Sequence, residues 1–262
     1  MNLTIYHISI ISIPTLHFYR LSLIFTNMDT HLHHDHVEKH LTSSETLTDI
    51  VIGMSDGLTV PFALAAGLSG AVSNVHLIVI AGIAEIAAGS IAMGLGGYLA
   101  GQTEQEHYAS ELKREYDEIE TLPHVEREEV REFFEGLGLS ASVQEQAVEE
   151  LIKDKDRWAD FMMKHELGLE KPDPKRAGKS AFNIGASYIV GGLIPLSPYF
   201  FVQDGLTGLK ISAIVTLICL FIFGYFKSKL TGTPPFKGGL KVAIIGAIAA
   251  GFAFGIAKLI GG

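Results

Sequence analysis

Apolar residues fall into five long runs along this chain, and polar positions separate each run from the next. The runs cover residues 48–70, 76–101, 180–201, 206–226 and 240–260. About 20 mostly apolar residues are needed to cross the hydrocarbon core of a bilayer as a helix, so each run predicts a membrane span. The pattern therefore predicts an all-α membrane protein with five transmembrane helices. An odd number of spans places the two ends of this series on opposite sides of the membrane.

The segment between the second and third runs, residues 102–178, has charged and apolar positions at helical spacing. Breaks at Pro123, at residues 136–138 and near Asp154 divide it into three or four amphipathic helices. No helix breaker follows Gly101, so the second span is predicted to continue out of the membrane into this insert. The predicted organisation is an N-terminal region at 1–47, two spans at 48–101, an inserted helical domain at 102–178 and three spans at 179–262.

Composition supports a membrane protein that binds a cation. Hydrophobic residues make up 48% of the chain, charged residues only 19%, and the mean hydropathy is +0.30. The net charge is −9, and 21 of the 29 acidic residues lie within residues 102–178. This acidity argues against a nucleic-acid partner, whose phosphates would be repelled, and is compatible with a cationic ligand. The single cysteine excludes a Cys-based zinc site within this chain.

Basic residues near the ends of the spans predict the orientation, because they are retained on the cytosolic side. The insert and its exit carry 12 of the 20 basic residues. Four more lie in the link between the fourth and fifth runs, namely Lys227, Lys229, Lys237 and Lys241. The opposite side offers only Lys210 and Lys258. The N-terminal region and the insert are therefore predicted to be cytosolic, and the C-terminal end to face a lumen or the exterior.

The N-terminal region leaves several interpretations open. Residues 3–25 are apolar but interrupted and lack a basic start, so they resemble a signal peptide, an extra span, or an upstream extension with no role in the fold. Met28 is an alternative start. Five histidines follow, at His31, His33, His34, His36 and His40. They indicate either a metal-collecting stretch or a solvated, disordered tail.

Two acidic residues lie within the first two spans, Asp56 and Glu85. An acid in the bilayer interior is costly unless it faces a cavity, a partner or a bound ion, so it indicates an ion or proton pathway. Neither span offers a lysine or arginine to balance these charges. Met93 lies eight residues after Glu85, on a similar helix face. A thioether together with carboxylates is a ligand set that suits a transition metal better than Mg²⁺ or Ca²⁺. The alternative is that both acids are protonated and only form hydrogen bonds between helices.

Acidic residues in the insert recur at a spacing of three, which places both members of a pair on one helix face. The acidic pairs are Glu115 with Glu118 and Glu126 with Glu129. Met163 has the same spacing to Glu166, and Met162 lies next to it in the sequence. Carboxylates and thioethers facing a common centre predict a metal cluster, whereas the alternative is an ordinary solvated acidic face. A redox di-iron site requires two Glu-x-x-His motifs. Only residues 104–107 have that spacing, which disfavours catalytic iron oxidation.

Two stretches carry a family resemblance. They are Asp49-Ile-Val-Ile-Gly-Met-Ser-Asp-Gly-Leu-Thr-Val-Pro at the start of residues 49–70, and Ala84-Glu-Ile-Ala-Ala-Gly-Ser-Ile-Ala-Met within residues 84–100. In both, the chain resembles the plant vacuolar iron transporters, and the resemblance extends from about residue 46 to 260, including the insert.

The resemblance implies a homodimer in the vacuolar membrane that exchanges cytosolic Fe²⁺, with Mn²⁺ as a further substrate, for vacuolar protons. The metal is cargo, and no cofactor or nucleic acid is implied. The pathway would lie at the subunit interface, with membrane ligands at Asp56, Glu85 and Met93. The implied ligands of the cytosolic domain are Glu115, Glu118, Glu126, Glu129, Met162, Met163 and Glu166. Nearby Glu104, Glu106, Glu111 and Glu149 are further candidates.

A metal/proton antiporter is therefore the leading functional hypothesis. No G-x-x-x-x-G-K-[ST] motif for ATP binding occurs, so the expected driving force is a proton gradient. Two rival hypotheses remain. One is a membrane-anchored iron-binding or iron-oxidising protein, and the other is a passive channel for divalent cations.

Overall fold

A computed structural model describes residues 44–261, and every regular element within that range is a helix. The α-helices are α1 (Ser44–Ala71), α2 (Val75–Thr121), α3 (Pro123–Gly136), α4 (Ala141–Leu151), α5 (Lys155–His165), α6 (Arg176–Leu196), α7 (Gly205–Leu230) and α8 (Pro235–Gly261). A 3₁₀ turn at Ser197–Phe200 extends α6. The predictions for residues 1–27 and for the histidine-rich stretch lie outside the described residues.

Five of these helices, α1, α2, α6, α7 and α8, are long and apolar enough to cross a membrane. The predicted all-α fold with five spans is thereby confirmed. The helices begin close to the predicted runs, but α1, α6 and α8 each start about one turn earlier than hydropathy indicates. Each additional turn contains a charged residue, namely Glu45, Arg176 or Lys237, and hydropathy detects only the part of a helix that can lie in lipid.

Helix α2 is unusually long. Its 47 residues correspond to about 70 Å at 1.5 Å per residue, more than twice the roughly 30 Å of a bilayer core. Its apolar first half can span the membrane, and its second half, which contains Glu115, then extends beyond it as one uninterrupted helix. This confirms the prediction that the second span continues into the insert.

The three short helices of the insert begin and end at the predicted breaks. Pro123 starts α3, where its missing N–H is tolerated, and the Asp154 side chain caps α5 by accepting hydrogen bonds from the Asp156 and Arg157 N–H groups. Buried Val130, Val148 and Trp158 pack with the extension of α2 in a small hydrophobic core. The insert is thus built directly on the protruding half of α2.

Glycines bring α1 and α6 into close contact. A Cβ atom at Gly53 would overlap the Ile184 carbonyl oxygen, and one at Gly57 would overlap the main chain of Tyr188. Such small residues permit helix backbones to approach one another in a membrane. The contact matters for function because it places the Tyr188 side chain beside the acidic residues of the first two spans.

Candidate metal centre

Three carboxylates from three parts of the insert converge at one point. Glu115 comes from α2 and Glu126 from the first turn of α3, and Glu166 is the C-cap residue directly after α5. One carboxylate oxygen from each lies within 4.8 Å of the others. Each pair of ionised carboxylates at that separation repels by roughly 3–4 kcal/mol at an effective dielectric constant of 20. A divalent cation between them would convert this repulsion into attraction.

Two of these carboxylates are buried without compensation. Glu115 is 1% exposed and Glu126 is 4% exposed. Within the described residues, the Oε2 atoms of both side chains are buried and have no hydrogen-bond partner. A buried charge is normally paired or coordinates a metal. The geometry therefore favours a cation site over a merely solvated acidic face.

The electrostatics of the cluster follow from this burial. Burial, reinforced by the charges of Glu166 and Glu118, raises the pKa of Glu115 to about 7. Burial, together with the charges of Glu129 and Glu115, raises the pKa of Glu126 to about 7. Carboxyl groups with such pKa values change protonation near neutral pH, so a cation and protons would compete for them over that range.

Glu118 and Glu129, the second members of the two acidic pairs, lie beside the cluster. Burial raises the pKa of Glu129, and the charge of Glu118 raises it further. Glu118 also lies 3.7 Å from the guanidinium of Arg114, which is itself paired with Glu111 at 2.8 Å. Glu118 and Glu129 thus add negative potential around the three converging carboxylates.

One methionine sulfur is available beside the cluster. Met162 and Met163 are each 1% exposed, and the role of Met163 as a ligand stays a prediction. Met162 packs in the hydrophobic core of the insert and also lines a cavity of about 410 Å³ with Glu129 and Glu166. The mouth of this cavity includes Glu132 and His165, and the His165 ring packs on Phe133 and Phe161. Carboxylate oxygen with thioether sulfur is a donor set suited to a borderline transition metal.

Other acids of the insert are paired with arginines. Arg127 of α3 contacts Glu149 of α4. Arg131 of α3 contacts Glu128 on its own helix and Glu145 on α4, so these ion pairs connect α3 to α4. The insert therefore does not carry a uniform acidic surface. Several exposed acids have basic partners, whereas no salt bridge to Glu115 or Glu126 occurs within residues 44–261.

Glu104 and Glu106 lie elsewhere on α2. Both are exposed, and Glu106 accepts a hydrogen bond of 2.9 Å from Gln102. Glu104 precedes Glu115 by 11 positions, or about 16 Å along the helix. The structure does not bring Glu104 and Glu106 into the cluster, and their role as ligands stays a prediction.

The acids predicted to lie within the membrane form a second, separate group. Asp56 on α1, Glu85 on α2 and Met93 on α2 are all half-buried. The Tyr188 hydroxyl donates a 2.5 Å hydrogen bond to Glu85 Oε1, while Glu85 Oε2 is buried with no hydrogen-bond partner in the described chain. Asp56 lies near enough to Tyr188 to act on it electrostatically. Within residues 44–261, neither acid has a basic partner.

Tyr188 is a functional candidate that the sequence analysis missed. It is 2% exposed, and its hydroxyl occupies the space left by the absent side chain of Gly89, one turn after Glu85. A signal was available, because a tyrosine in the middle of an otherwise apolar span needs a polar partner. Only the fold identifies that partner as Glu85.

A second network was also missed, at the start of α6. Arg176 donates hydrogen bonds of 2.7 and 3.1 Å to the two carboxylate oxygens of Asp49 on α1. Ser180 donates to the same carboxylate at 3.0 Å, and Asn183 at 3.4 Å. Asp49 is 2% exposed but fully compensated. This network ties α1 to α6 at the end of the spans nearest the insert.

Comparison with known proteins identifies the family. The sequence profile described as the VIT family matches residues 47–258. The chain is 49% identical over 240 residues to vacuolar iron transporter 1 of Oryza sativa subsp. japonica, covering 92% of this chain and 95% of the relative. It is 53% identical over 225 residues to vacuolar iron transporter 1 of Eucalyptus grandis, covering 86% and 90% of the two chains. It is 39% identical over 225 residues to protein CCC1 of Saccharomyces cerevisiae, covering 82% and 69%.

The match extends over both candidate sites and all five spanning helices, and the predicted resemblance is confirmed. The chain belongs to the VIT family.

Proposed function

We propose that this protein is an antiporter that moves Fe²⁺, and also Mn²⁺, from the cytosol into the vacuole in exchange for protons. The observation that carries the proposal is the presence of uncompensated carboxylates at two levels of one helix. Helix α2 holds Glu85 within the membrane span and Glu115 in the insert, 30 residues apart, or about 45 Å. A protein that only stored or oxidised iron in the insert would have no use for the acids in the spans.

The proposed cycle uses the same chemistry at both levels. Deprotonated carboxylates of the insert gather Fe²⁺ at neutral pH, with Glu115, Glu126 and Glu166 as the central ligands. The metal then passes to Asp56, Glu85 and Met93. Because carboxylates must be deprotonated to bind a metal, protons from an acidic lumen displace Fe²⁺ there and return toward the cytosol.

A homodimer in the bilayer completes the proposed pathway. Asp56, Glu85 and Met93 are only half-buried in a single chain, and neighbouring positions on α2 such as Ile83 and Ile91 are exposed. An acid left partly open to lipid is costly, so a second copy covering this face would enclose the pathway between two protomers.

The location in the vacuolar membrane and the orientation have their own support. The plant relatives are named vacuolar iron transporters, and this chain has five helices able to cross a membrane. The excess of lysine and arginine on the side of the insert supports a cytosolic insert and a luminal C-terminal end.

The proposal is tested with purified full-length protein in liposomes. Fe²⁺ is supplied outside at pH 7.5, and uptake is followed with a metal-quenched dye while a second dye reports internal pH. We expect uptake to be faster with an acidic interior and to be accompanied by internal alkalinisation. Uptake that is indifferent to the imposed pH difference would contradict antiport and indicate a passive channel.

Variants of the two acids in the spans test whether these residues carry the metal across the membrane. Asp56→Asn and Glu85→Gln should each abolish uptake while leaving metal binding by the insert intact. Asp204→Asn is the matched control, because Asp204 caps α7 and asparagine caps helices equally well. Oxygen consumption upon Fe²⁺ addition, without uptake, would instead indicate an iron-oxidising protein.

A further inference from the structure

The hairpin formed by α7 and α8 is distinctive in its charge. After Asp204 there is no acidic residue to the end of the chain, but there are six lysines. Lys227, Lys229, Lys237 and Lys241 lie at the end of the hairpin where α7 turns into α8. None of these four has a salt-bridge partner within the described range of the chain. This end lies on the same side of the membrane as the insert, because two spans, α6 and α7, separate it from the insert.

The turn is held in a defined shape. The Thr231 N–H donates to the Lys227 carbonyl at 3.0 Å, and the Thr233 hydroxyl donates to the Ser228 carbonyl at 3.2 Å. Gly232 has a φ of +69°, which reverses the chain between the two helices. The lysines on either side therefore project from an ordered turn.

A cleft of about 520 Å³ lies between the two helices at this turn, and its lining changes character along its length. Lys227 and Thr233 line it near the turn, and Lys237, Lys241 and Ile245 line it at successive turns of α8. These last three are four residues apart, so they form one stripe that runs from two cations to an apolar side chain. Ile245 is 52% exposed, as expected of a residue that faces lipid.

Three like charges around one cleft repel one another unless an anion lies among them. Lysines that line a cleft at the membrane boundary attract anionic lipid headgroups. A phosphate monoester carries a charge of about −1.5 to −2 at neutral pH, which suits several lysines better than a zwitterionic headgroup does.

We propose that this cleft binds a phospholipid whose headgroup ends in a phosphate monoester. The phosphate lies among Lys227, Lys237 and Lys241, and an acyl chain follows Val242 and Ile245 into the bilayer. The site lies in the leaflet on the side of the insert. It shares no residue with the metal cluster or with Asp56, Glu85 and Met93, so its occupancy can be tested independently of transport.

The test is fluorescence anisotropy of a labelled short-chain phosphatidic acid with the purified full-length protein in neutral detergent. Unlabelled dioctanoyl phosphatidic acid should compete at least tenfold better than dioctanoyl phosphatidylcholine, and also better than dioctanoyl phosphatidylglycerol, whose phosphodiester carries a single negative charge. Equal competition by phosphatidic acid and either of the other lipids would overturn the proposal, because lysines that only attract negative charge do not select a phosphate monoester. Competition by glycerol 3-phosphate as strong as that by the lipid would show a soluble phosphate ligand and would overturn the assignment to a lipid.

Matched variants locate the site. Each lysine near an anionic headgroup contributes about fivefold in affinity, so Lys227→Gln, Lys237→Gln and Lys241→Gln together should weaken phosphatidic acid binding roughly a hundredfold. Lys229→Gln is the control, because Lys229 is in the same turn region but does not line the cleft. It should change binding less than twofold. If Lys229→Gln and Lys237→Gln weaken binding equally, only the general surface charge matters and the cleft is not the site.

Folding of the variants is checked by a readout that does not depend on lipid. Mn²⁺ binding at the acidic cluster of the insert should be the same in the triple variant as in the unmodified protein. Unchanged phosphatidic acid binding in a triple variant that passes this check overturns the proposal.

Discussion

Asp49 and Glu115 are two carboxylates that are almost equally buried but differ completely in their surroundings. Asp49 is 2% exposed and accepts hydrogen bonds from Arg176, Ser180 and Asn183. Glu115 is 1% exposed, faces Glu126 and Glu166, and leaves one oxygen without a partner within the described residues. Burial alone therefore does not identify a functional acid in this protein.

The difference lies in what compensates each charge. The network of Asp49 is complete within the protein and holds α1 against α6. Glu115 and Glu85 each keep one buried carboxylate oxygen without a hydrogen-bond partner in the described residues, as expected if they are the proposed cation sites. The comparison predicts that changes at the first site reduce folding stability, and that changes at the others reduce function while stability is maintained.

The largest expected effect is at the compensated site. Arg176→Met leaves Asp49 buried without its cation, and removing one partner of a buried ion pair costs about 3–5 kcal/mol. The free energy of unfolding, measured by titrating detergent micelles with SDS, should fall by that amount. Lys175→Met, at the exposed neighbouring position, is the control and should leave it unchanged. Equal stability of the two variants would show that Arg176 does not stabilise the fold by compensating Asp49, and the contrast between Asp49 and Glu115 would fail.

The next effect is at the uncompensated cluster. Glu115→Gln with Glu126→Gln removes two anionic ligands and should weaken Mn²⁺ binding about a hundredfold. Loss of a residue that only orients a metal ligand already weakens binding by about 10- to 100-fold, so loss of two ligands should have at least the larger effect. Calorimetric titration of the full-length protein measures this. Glu145→Gln with Glu149→Gln makes the same charge change among the arginine-paired outer acids and should have little effect. Similar losses in both double variants would mean that net charge, not the cluster, binds the metal.

A smaller effect is expected at Tyr188. Tyr188→Phe keeps the ring but removes the hydrogen bond to Glu85, and a hydrogen bond to a charged group contributes about 1.5–3 kcal/mol. Fe²⁺ uptake into liposomes should slow about tenfold while Mn²⁺ binding at the insert is retained. Tyr225→Phe on α7 serves as the control. A Tyr188→Phe protein that transports normally would show that this hydrogen bond does not position Glu85 for transport.

The last prediction concerns the pH dependence of folding stability. Glu115 and Glu126 have pKa values of about 7 against an ordinary value of 4.5, so folding disfavours their charged forms. Their contribution to stability is complete below pH 4.5 and is lost as pH rises through 7. The melting temperature of the metal-free protein should therefore rise as pH is lowered from 8 to 5. This rise should be smaller in the double Gln variant, and an identical pH profile would contradict the raised pKa values.

Sequence alone predicted the features of this protein that depend on local patterns. Hydropathy located all five spanning helices, and the absence of a breaker after Gly101 predicted the protrusion of α2. Pro123 and Asp154 mark helix boundaries through backbone and capping chemistry that involves only a few neighbouring residues. These predictions succeeded because each depends on a segment no longer than a helix.

The features that sequence did not reveal depend on contacts between distant residues. Helical spacing made Glu115, Glu126 and Glu166 candidates for one cluster, but only the fold shows that these three carboxylates converge to within 4.8 Å. Which acids are neutralised also depends on tertiary structure, because Arg176 lies 127 positions from Asp49 in the sequence. Neither charge counts nor helical periodicity contain that information.

Because α2 is unbroken, it fixes the angle about its axis between the two candidate metal sites. One residue inserted into α2 between Gly101 and Leu112 would turn the whole insert by about 100° about the helix axis, while seven inserted residues would restore the direction to within about 20°. The cluster itself would remain intact in both cases, because the small core of the insert is built on α2 beyond that point. If the proposed cycle is correct, the phase of this helix alone would separate metal capture by the insert from metal delivery to the spans.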